Sequence, residues 1–497
     1  MAQDAVEETT PLLNARLPAT PLPRLQLSIL LLMRCAEPVA YTVIFPFINE
    51  MMEEVTHVPK SKVGYYAGLV ESVFAMVQFF TVYHWGALSD RLGRKIVALI
   101  GIVGAMLSVA AFGLSTSLPM MILTRCIAGA MNGNVAIVKS MMAEITDETN
   151  QARAYSLMPV AWALGATVGP LLGGYLSHPV ERYPEWFGGN TFLVKYPYFL
   201  PCFVASLVNL LVIIIGIIYL EETLIHHPTK QAPAEATTPS DGTLTPVNEA
   251  EIPAGEIAIV TEGESTPSVS PVDAESQEPA PEKPSIFTDQ IVRVLGISFF
   301  MFLLNSSYQA LIPLFCYSPY EAGGIGFPPS SIGLLLSVTG VAAMFSQAFL
   351  FPIVERRLGP VRTFRFAMSG LPFIYVALPV AHYLVPLGRS TVWTVLAFMI
   401  VAKTIGHMGV VCNSILINNA APSRESLGQL NGLVQSTGSL ARAFGPAGIT
   451  SLFAFSQEHH LLDGQLVHLV LITIALIAYV LTGRLRDVRA AWRQKRV

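Results

Sequence analysis

The stretch Trp85-Gly86-Ala87-Leu88-Ser89-Asp90-Arg91-Leu92-Gly93-Arg94-Lys95 (WGALSDRLGRK) places one acid and three bases between two apolar runs. Elsewhere charge is scarce: 13% of the 497 residues are charged and 52% are hydrophobic, whereas soluble domains carry about 25% charge. A short basic segment between long apolar runs is typical of a loop at a membrane surface. The composition therefore predicts an integral membrane protein.

Twelve apolar runs are long enough to cross a bilayer core, which takes roughly 20 residues of helix. A backbone in lipid has to satisfy its own hydrogen bonds, and these runs are continuously apolar, unlike the alternating strands of a barrel. We therefore predict an all-α integral membrane fold with twelve transmembrane helices. The predicted spans cover residues 24–48, 63–84, 97–115, 118–141, 155–176, 197–220, 289–316, 330–353, 365–385, 391–416, 429–453 and 466–483.

The loops between the spans predict the orientation and the organisation of the chain. If both termini are cytoplasmic, most of the 30 Lys and Arg residues lie on the cytoplasmic side, as expected for a membrane protein. The segment 221–288 is rich in Pro, Glu, Ser and Thr and cannot bury enough apolar surface to offset its ordering entropy. We predict a cytoplasmic tail (1–23), a six-helix half (24–220), a disordered cytoplasmic linker (221–288), a second six-helix half (289–483) and a basic cytoplasmic tail (484–497).

The two halves echo each other, which indicates an internal repeat. Gly169-Pro170 in GATVGPLLGG (165–174) superposes on Gly445-Pro446 in LARAFGPAGI (440–449). The segment PIVERRLGPVR (352–362) is a degraded copy of the opening stretch that keeps its Leu-Gly pair. Two pseudo-symmetric six-helix halves are typical of a transporter with its binding site between them, near the middle of the membrane.

The opening stretch joins the second and third predicted spans through a loop of a few residues, which suits its two glycines. Asp90 can accept hydrogen bonds from exposed amides at a neighbouring helix end, where the helix dipole favours an anion. The bases hold the loop at the cytoplasmic face and can pair with acids of the adjoining half, although Lys95 alone is equally explained by topology. The predicted gating motif comprises Gly86, Asp90, Arg91, Gly93, Arg94 and Lys95.

Residues 86–95 also resemble a family signature. They match Gly-x-Leu-x-Asp-Arg-x-Gly-Arg-Lys, the characteristic motif of the major facilitator superfamily, at each fixed position. Arg125 in LTRCIAGAMNG (123–133) resembles the family's helix 4 arginine motif, and LEETL (220–224) resembles the segment that closes helix 6. GATVGPLLGG (165–174) is similar to the helix 5 motif of the drug:proton antiporter branch. The resemblance implies the twelve-helix fold of that family.

A narrower resemblance follows from two longer patterns. Trp85 ahead of the loop motif, and Ser156 nine residues before Gly165, are similar to the zinc-induced facilitator-like subfamily and its fungal relatives. Plant members carry a Cys-rich N-terminal motif, whereas residues 1–17 contain neither Cys nor His. This departure argues against metal transport and favours the efflux of organic compounds that is more often suggested for the fungal relatives. A metal-chelate or ion carrier stays open as the alternative.

The fifth predicted span carries a stripe of small residues. Gly165, Gly169 and Gly173 recur at every fourth position, which allows another helix to approach closely. Pro170 removes one backbone hydrogen bond and bends the helix. Together with Gly174, we expect these residues to seal the contact between the halves on one side of the membrane, a role that is compatible with ordinary small-residue packing.

Six charged residues lie inside the predicted spans and well away from their ends. A charge at the bilayer centre costs at least ~2.5 kcal/mol, so each one needs a partner or an aqueous cavity. At ~1.5 Å rise per residue, Glu71 lies about 18 Å and Arg442 about 20 Å from the cytoplasm. The second and eleventh helices face each other in the family fold, so we predict a Glu71–Arg442 pair that forms or breaks during alternation. The six residues are Arg34, Glu37, Glu71, Arg125, Lys403 and Arg442.

Proton antiport needs an acid whose proton affinity changes as it gains or loses a counter-ion. Glu37 and Arg125 lie at similar predicted depths on helices that line the family's cavity, and we expect them to couple. Glu37 is the first candidate for the proton site and Glu71 the second. A static ion pair that holds the helices together is the competing interpretation. The proton-coupling candidates are therefore Glu37, Glu71, Arg125 and Arg442.

Polar residues on the cavity helices are candidates for substrate binding. Lys403 and His407 are one turn apart on the tenth span, and Asn305 and Gln309 are one turn apart on the seventh. A packing role is the alternative for His407, and Trp162 suits the core or the lipid face as well as a cavity wall. The substrate-cavity candidates are Arg34, Asn305, Gln309, Lys403, His407 and Trp162.

Other chemistry lacks a signal in this sequence. We find no Gly-rich phosphate loop, no His/Glu metal cluster and no catalytic triad spacing, so we expect no enzyme activity, no cofactor and no metal site. Without an ATP site, an ion gradient has to drive transport. We predict a monomeric, proton-coupled exporter of small organic molecules (a drug, toxin or secondary metabolite) in the lipid bilayer, with no nucleic-acid partner. A non-transporting membrane sensor is the remaining alternative.

The N-terminal segment EETTPLL (7–13) bears on localisation. Glu8, Leu12 and Leu13 have the spacing of an acidic dileucine sorting signal, which would direct the protein to the vacuolar membrane. Short signals of this kind arise often by chance. The plasma membrane is therefore the expected location and the vacuolar membrane the alternative.

Overall fold

The computed structural model describes residues 20–147, 150–224, 288–421 and 426–486. Within these ranges the chain is helical and contains no strand. The sorting-like signal at Glu8, Leu12 and Leu13 lies outside the described residues. So do nearly all of the predicted N-terminal tail, linker and basic C-terminal tail.

The described residues of the first half form eleven α-helices, seven of which correspond to predicted spans or share one. The second helix extends the first span at one end of the bundle, and three short helices connect the fifth span to the sixth. In chain order the helices are α1 (Arg24–Thr42), α2 (Ile48–Thr56), α3 (Val63–Leu92), α4 (Arg94–Gly113), α5 (Leu118–Met131), α6 (Asn134–Glu144), α7 (Gln151–Leu176), α8 (Pro179–Arg182), α9 (Pro184–Phe187), α10 (Thr191–Lys195) and α11 (Phe199–Tyr219).

The second half repeats this arrangement with fewer interruptions. A π-helical segment, Ser346–Leu350, joins its second and third helices. Gly359, with φ 74°, divides the third helix into the end of the eighth predicted span and the whole of the ninth. The helices are α12 (Asp289–Tyr317), α13 (Pro329–Phe345), α14 (Phe351–Tyr383), α15 (Arg389–Ala420), α16 (Ser426–Glu458) and α17 (Leu466–Thr482).

The predicted twelve-helix fold is confirmed. Eight helical stretches of the described chain are long and apolar enough to cross a membrane, and one of them, Pro329–Tyr383, contains both the eighth and the ninth span. The three remaining spans are α1, α16 and α17. α1 and α16 are less apolar because they carry charged side chains inside the bundle, and α17 is an apolar helix of 17 residues.

The fourth predicted span is interrupted between α5 and α6, which the apolar run did not predict. The indole of Trp85 packs directly against Gly133, where any side chain would overlap it. Trp85 Nε1 donates to Ala130 O at 2.5 Å, and Gln78 Nε2 donates to Asn132 O at 3.2 Å. Side chains from α3 thus bond carbonyls at the point where the helix breaks.

The predicted loop between the second and third spans is shorter than expected. α3 continues through Leu92, and one residue, Gly93 with φ 102°, separates it from α4. No residue between Gly86 and Leu92 interrupts the helix, so most of the motif is helical. Gly359 occupies the corresponding place in the second half and also has a positive φ. The degraded copy of the motif therefore keeps the residue that makes the turn.

The helices pack in the same way in both halves. Gly169 of α7 packs against Thr42 of α1, and Gly445 of α16 packs against Ser306 of α12. These contacts place the fifth span of each half against the first, so the superposed Gly-Pro pairs lie at equivalent positions of the two halves. They hold each half together as a unit.

The halves contact each other at one end of the bundle. We call the end that carries residues 86–95 the loop-motif side and the end that carries His57 and His178 the opposite side. α3 packs on α16 and α7 packs on α13, both in the part nearer the opposite side. Ser72 Oγ accepts from Ala447 N at 2.9 Å, and Ser337 Oγ donates to Thr167 O at 2.8 Å. The bundle is therefore closed at the opposite side.

Candidate functional site

A cavity of about 840 Å³, its open mouth included, lies between the two halves, and we call it the central cavity. Gln435, nearer the loop-motif side, lines this cavity and is exposed. Because the opposite side is closed, the cavity opens toward the loop-motif side. Its polar and charged lining residues are Arg34, Glu37, Gln78, Asn132, Asn305, Ser306, Gln309, Gln435 and Arg442.

The central cavity contains one ion pair within the first half and an arginine of the second half that interacts with it electrostatically. Arg34 Nη1 and Glu37 Oε2 form an ion pair at 2.5 Å on one face of α1. Arg442 Nη2 donates to Ser439 Oγ at 3.0 Å and lies within electrostatic range of Glu37. The predicted Glu71–Arg442 ion pair is not formed in the described residues of this conformation, so it stays a prediction for another state.

A pocket within the first half adjoins the central cavity, and we call it the Arg125 pocket. The guanidinium of Arg125 lies 5.8 Å from the ring centre of Tyr41, 5.3 Å from that of Phe74 and 5.5 Å from that of Phe112. Cations bind over aromatic faces at such distances. Arg125 Nε and Nη2 are buried without a hydrogen-bond partner among the described residues.

Both acidic candidates lie near Arg125. Glu37 lines the Arg125 pocket as well as the central cavity. Glu71 is 5% exposed and interacts electrostatically with Arg125. Glu37 and Arg125 thus line the Arg125 pocket, Glu71 is buried within electrostatic range of Arg125, and Arg442 lines the central cavity.

A second pocket, of about 670 Å³, lies between the halves, and we call it the Lys403 pocket. Lys403 Nζ donates to Asn305 Oδ1 at 2.7 Å and lies 4.1 Å from the ring centre of Tyr308. Trp162, Asn305 and Gln309 also line the central cavity, so the two spaces are continuous. Five of the six substrate-cavity candidates meet here: Trp162, Asn305, Gln309, Lys403 and His407. The sixth, Arg34, lines the central cavity.

The gating motif forms a network within the first half. Asp90 pairs with Arg94 at 2.6 Å, and Arg94 Nε bonds Glu144 Oε1 at 3.1 Å. The exposed amides at the start of α4, Arg94 N and Lys95 N, donate to Glu222 at 2.7 and 3.0 Å. The role predicted for Asp90, bonding the end of a helix, is thus filled here by Glu222. Gly86 has no close neighbour, and Arg91 is exposed.

Glu222 is the functional residue that sequence reasoning missed. It lies in LEETL (220–224), the segment that closes the sixth span. The sequence does contain one indication of this role. Glu222 directly follows an apolar span and lies on the same side of the membrane as the start of α4, whose first amides have no other partner from the motif in the described part of the chain. Aligning that acid with α4 requires the three-dimensional packing of α11 on α4.

The small residues of α7 face two different partners. Gly165, Gly169 and Gly173 pack against α1 within the first half. Gly174 packs against Gly333 of α13, and Pro170 O lies close to that same glycine. Pro170 and Gly174 thus belong to the contact of α7 with the second half, and the glycine stripe itself holds the first half together.

A titratable cluster lies outside the membrane on the opposite side. His178 Nε2 contacts Glu54 at 3.2 Å and its Nδ1 contacts Glu50 at 3.6 Å, while Tyr198 Oη donates to Glu54 at 2.7 Å. Burial acts to lower the pKa of His178, but the bond to Glu54 and the charge of Glu50 outweigh it, so this pKa is raised. Burial acts to raise the pKa of Glu54, but its bonds to His178 and Tyr198 lower it.

The described residues contain no group of three or more His, Cys, Asp and Glu side chains that could hold a metal ion. Their five cysteines are unpaired, and three of them, Cys202, Cys316 and Cys412, are buried. The polar chemistry of the cavity therefore consists of basic side chains, a carboxylate, amides and aromatic rings.

Comparisons with known proteins agree with this architecture. The model described as "Major Facilitator Superfamily" matches residues 30–446. The chain is 33% identical to "Major facilitator superfamily multidrug transporter mfsB" of Aspergillus fumigatus, over 86% of this chain and 78% of that protein. It is 27% identical to "Protein ZINC INDUCED FACILITATOR 1" of Arabidopsis thaliana, over 93% of this chain and 91% of that protein. The resemblance inferred from the motifs is confirmed.

Among solved structures, the chain superposes on an inward-facing, occupied bacterial homologue of the human lysosomal transporter Spinster with a TM-score of 0.65. The alignment covers 94% of this chain and 97% of that one at 11% identity. This likeness concerns the fold alone.

Proposed function

From the premise that this chain belongs to the major facilitator superfamily, we propose that it exports small organic molecules in exchange for protons. The chain is a multi-pass membrane transporter; the proposal concerns its coupling ion, direction and substrate class. The observation that carries the proposal is the central cavity, which is open at one end, closed at the other and has Glu37 in its wall. Efflux is supported by the similarity of this chain to the Aspergillus fumigatus relative, which is named a multidrug transporter.

The proposal assigns the loop-motif side to the cytoplasm, because basic residues concentrate there. Substrate then enters the central cavity from the cytoplasm in the conformation described. The contacts of α3 with α16 and of α7 with α13 break when the cavity opens to the opposite side. Alternation of this kind exposes one site to each side of the membrane in turn.

Glu37 is the first candidate for the coupling proton, and Glu71 the second. When Glu37 is ionised, Arg34 neutralises it within the first half and Arg442 attracts it from the second. Protonation of Glu37 removes that attraction and so changes the relative energies of the two conformations. A ligand shifts such an equilibrium only through a difference in its interaction with the two states. Glu37 meets this condition because its partners lie in both halves.

The experiment uses a deletion strain and inside-out membrane vesicles. The strain is screened against organic toxins and metal salts, and the organic compounds to which it becomes sensitive are the transport probes. We expect an imposed pH gradient to drive their uptake into vesicles. Uptake that persists unchanged when the pH gradient is collapsed would refute proton coupling. Sensitivity to zinc salts alone would instead favour the metal-chelate carrier.

Two variants test the role of Glu37 against a static ion pair. We expect Glu37→Gln to abolish the stimulation by the pH gradient and to keep probe binding. Arg34→Gln removes the same ion pair and leaves the carboxylate in place. If both variants only lower the thermal stability and retain the stimulation, Glu37 is a structural residue.

The effect of export on the cell depends on which membrane contains the protein. In the plasma membrane, the expected location, the protein removes its substrate from the cell; in the vacuolar membrane it sequesters it. Microscopy of a fluorescent fusion, with and without Leu12→Ala and Leu13→Ala, distinguishes the two.

A further inference from the structure

Basic side chains outnumber carboxylates on the walls of the central cavity and its two adjoining pockets. Among the lining residues in the described part of the chain, Glu37 is the one carboxylate, and Arg34 already pairs with it at 2.5 Å. A cleft lined by charges of one sign concentrates ligands of the opposite sign. The basic lining residues are Arg34, Arg125, Lys403 and Arg442.

Lys403 is the member of this set that most needs an anion. Its side chain is buried, with 7% exposure, and none of the residues that line its pocket is an Asp or a Glu. Among the described residues it has no ion pair; its ammonium is held by Asn305 and by the ring of Tyr308. An ammonium group has three donors, and an unpaired buried ion costs several kcal/mol. An anionic ligand would remove this cost.

The Lys403 pocket also has room and a surface for an apolar body. Its space, about 670 Å³ with the open mouth included, is continuous with the central cavity. The rings of Phe45, Trp162 and Tyr308 line it, and Gln309 and His407 supply further polar groups. Planar rings stack well on such walls.

We propose that the Lys403 pocket binds organic anions, with a carboxylate or similar oxyanion on Lys403 and an aromatic body against Trp162 and Phe45. This inference names the substrate class of the exporter and in that respect rests on the proposed function. Phe45 and Trp162 belong to the first half and Lys403 to the second, so one ligand contacts both halves. Its binding energy therefore depends on their relative position, which links occupancy to alternation.

The experiment measures binding of three naphthalene probes of nearly equal size to the purified full-length protein in detergent, by titration calorimetry. The probes are the anion 2-naphthoate, the neutral 2-naphthamide and the cation 2-naphthylmethylammonium. We expect 2-naphthoate to bind at least tenfold more tightly than the other two, because its carboxylate can form a charged hydrogen bond with Lys403. Lys403→Gln should remove that preference without weakening 2-naphthamide, and Lys403→Arg should retain it.

The controls separate loss of the site from loss of the fold. Lys195→Gln removes the same charge on the opposite side, outside the cavity, and should leave all three affinities unchanged. Thermal unfolding of each variant shows that it is folded. The proposal is overturned if Lys403→Gln leaves the affinity for 2-naphthoate unchanged, if the cation binds best, or if none of the probes binds at millimolar concentration.

The anion site and proton-coupled export can be refuted separately. If 2-naphthoate binds through Lys403 but no pH gradient drives transport in vesicles, proton-coupled export is refuted and the anion site stands. If pH-driven export is measured only for cationic or neutral compounds and Lys403→Gln does not change it, the anion site is refuted and the proposed function stands.

Discussion

Adding one methyl group at Gly174 should shift the protein toward the conformation that is open at the opposite side. A Cβ built there lies 2.6 Å from Pro329 O and 3.0 Å from Gly333 Cα, where contacts of 3.4 Å or more are ordinary. Both neighbours are backbone atoms of the second half, so α7 and α13 have to move apart. Overpacking of this kind costs about 1–3 kcal/mol, which corresponds to a change of roughly 5–150-fold in the ratio of the two states.

Gly173→Ala is the matched control. Its Cβ overlaps Val43 O, at the end of α1 in the same half, so the cost falls on both conformations. The helix propensity gained by replacing glycine with alanine is the same in the two variants. We therefore expect Gly173→Ala to lower the stability of the first half without changing the ratio of the conformations.

The assay is a distance measurement by double electron–electron resonance. Spin labels replace Trp186 and Leu387, which are 83% and 70% exposed on the opposite side of the two halves, in a background without the five native cysteines. We expect the population with a long interlabel distance to increase in Gly174→Ala and to remain as in the wild type in Gly173→Ala. A distance distribution in Gly174→Ala that equals the wild type, or the same shift in both variants, would refute the assignment of α7–α13 as the moving contact.

Three further predictions concern contacts outside the cavity. Glu222→Gln weakens the bonds to the amides of α4 and should lower the free energy of unfolding by about 0.5–2 kcal/mol, measured in detergent against the exposed control Glu221→Gln. Trp85→Phe keeps the ring contact across the break in the fourth span and loses the hydrogen bond of the indole. The free energy of unfolding should therefore fall by about 0.5–1.5 kcal/mol; an unchanged melting temperature would contradict that bond. The raised pKa of His178 means that its contacts stabilise the fold below its ordinary value of 6.5 and stop doing so as the pH rises through the raised pKa. His178→Gln should abolish this pH dependence in thermal unfolding between about pH 5 and 9, and a persisting dependence would assign it to another group.

The spans and the cavity-facing residues follow from helical periodicity and composition. Asn305 and Gln309, and likewise Lys403 and His407, are one turn apart, so each pair shares a face wherever its helix lies. Polar faces on apolar helices turn away from lipid, which is why these four residues meet in one pocket. Their prediction required no knowledge of distances between helices.

Contacts between side chains on different helices do not follow from helical periodicity and composition. The depths of Glu71 and Arg442 agree along the membrane normal, but depth does not report the direction in which a side chain points around its helix. Glu71 turns toward Arg125 within its own half, and Arg442 faces Glu37. Similarly, the break in the fourth span depends on Trp85 meeting Gly133, two residues that no local pattern connects. Pairing across helices depends on rotation and tilt, which hydropathy does not encode.

The bonds from Glu222 to α4 have a consequence for the connection between the halves. Residues 225–287 begin three positions after Glu222, and Glu222 is fastened to the junction of α3 and α4. The segment that connects the halves therefore follows a residue that is bonded to the gating motif, and not a free end of α11. Thr223 adds to this attachment, because its Oγ1 donates to Glu144, which in turn pairs with Arg94 of the motif. An engineered change in the connector length is, mechanically, also a change at residues 86–95.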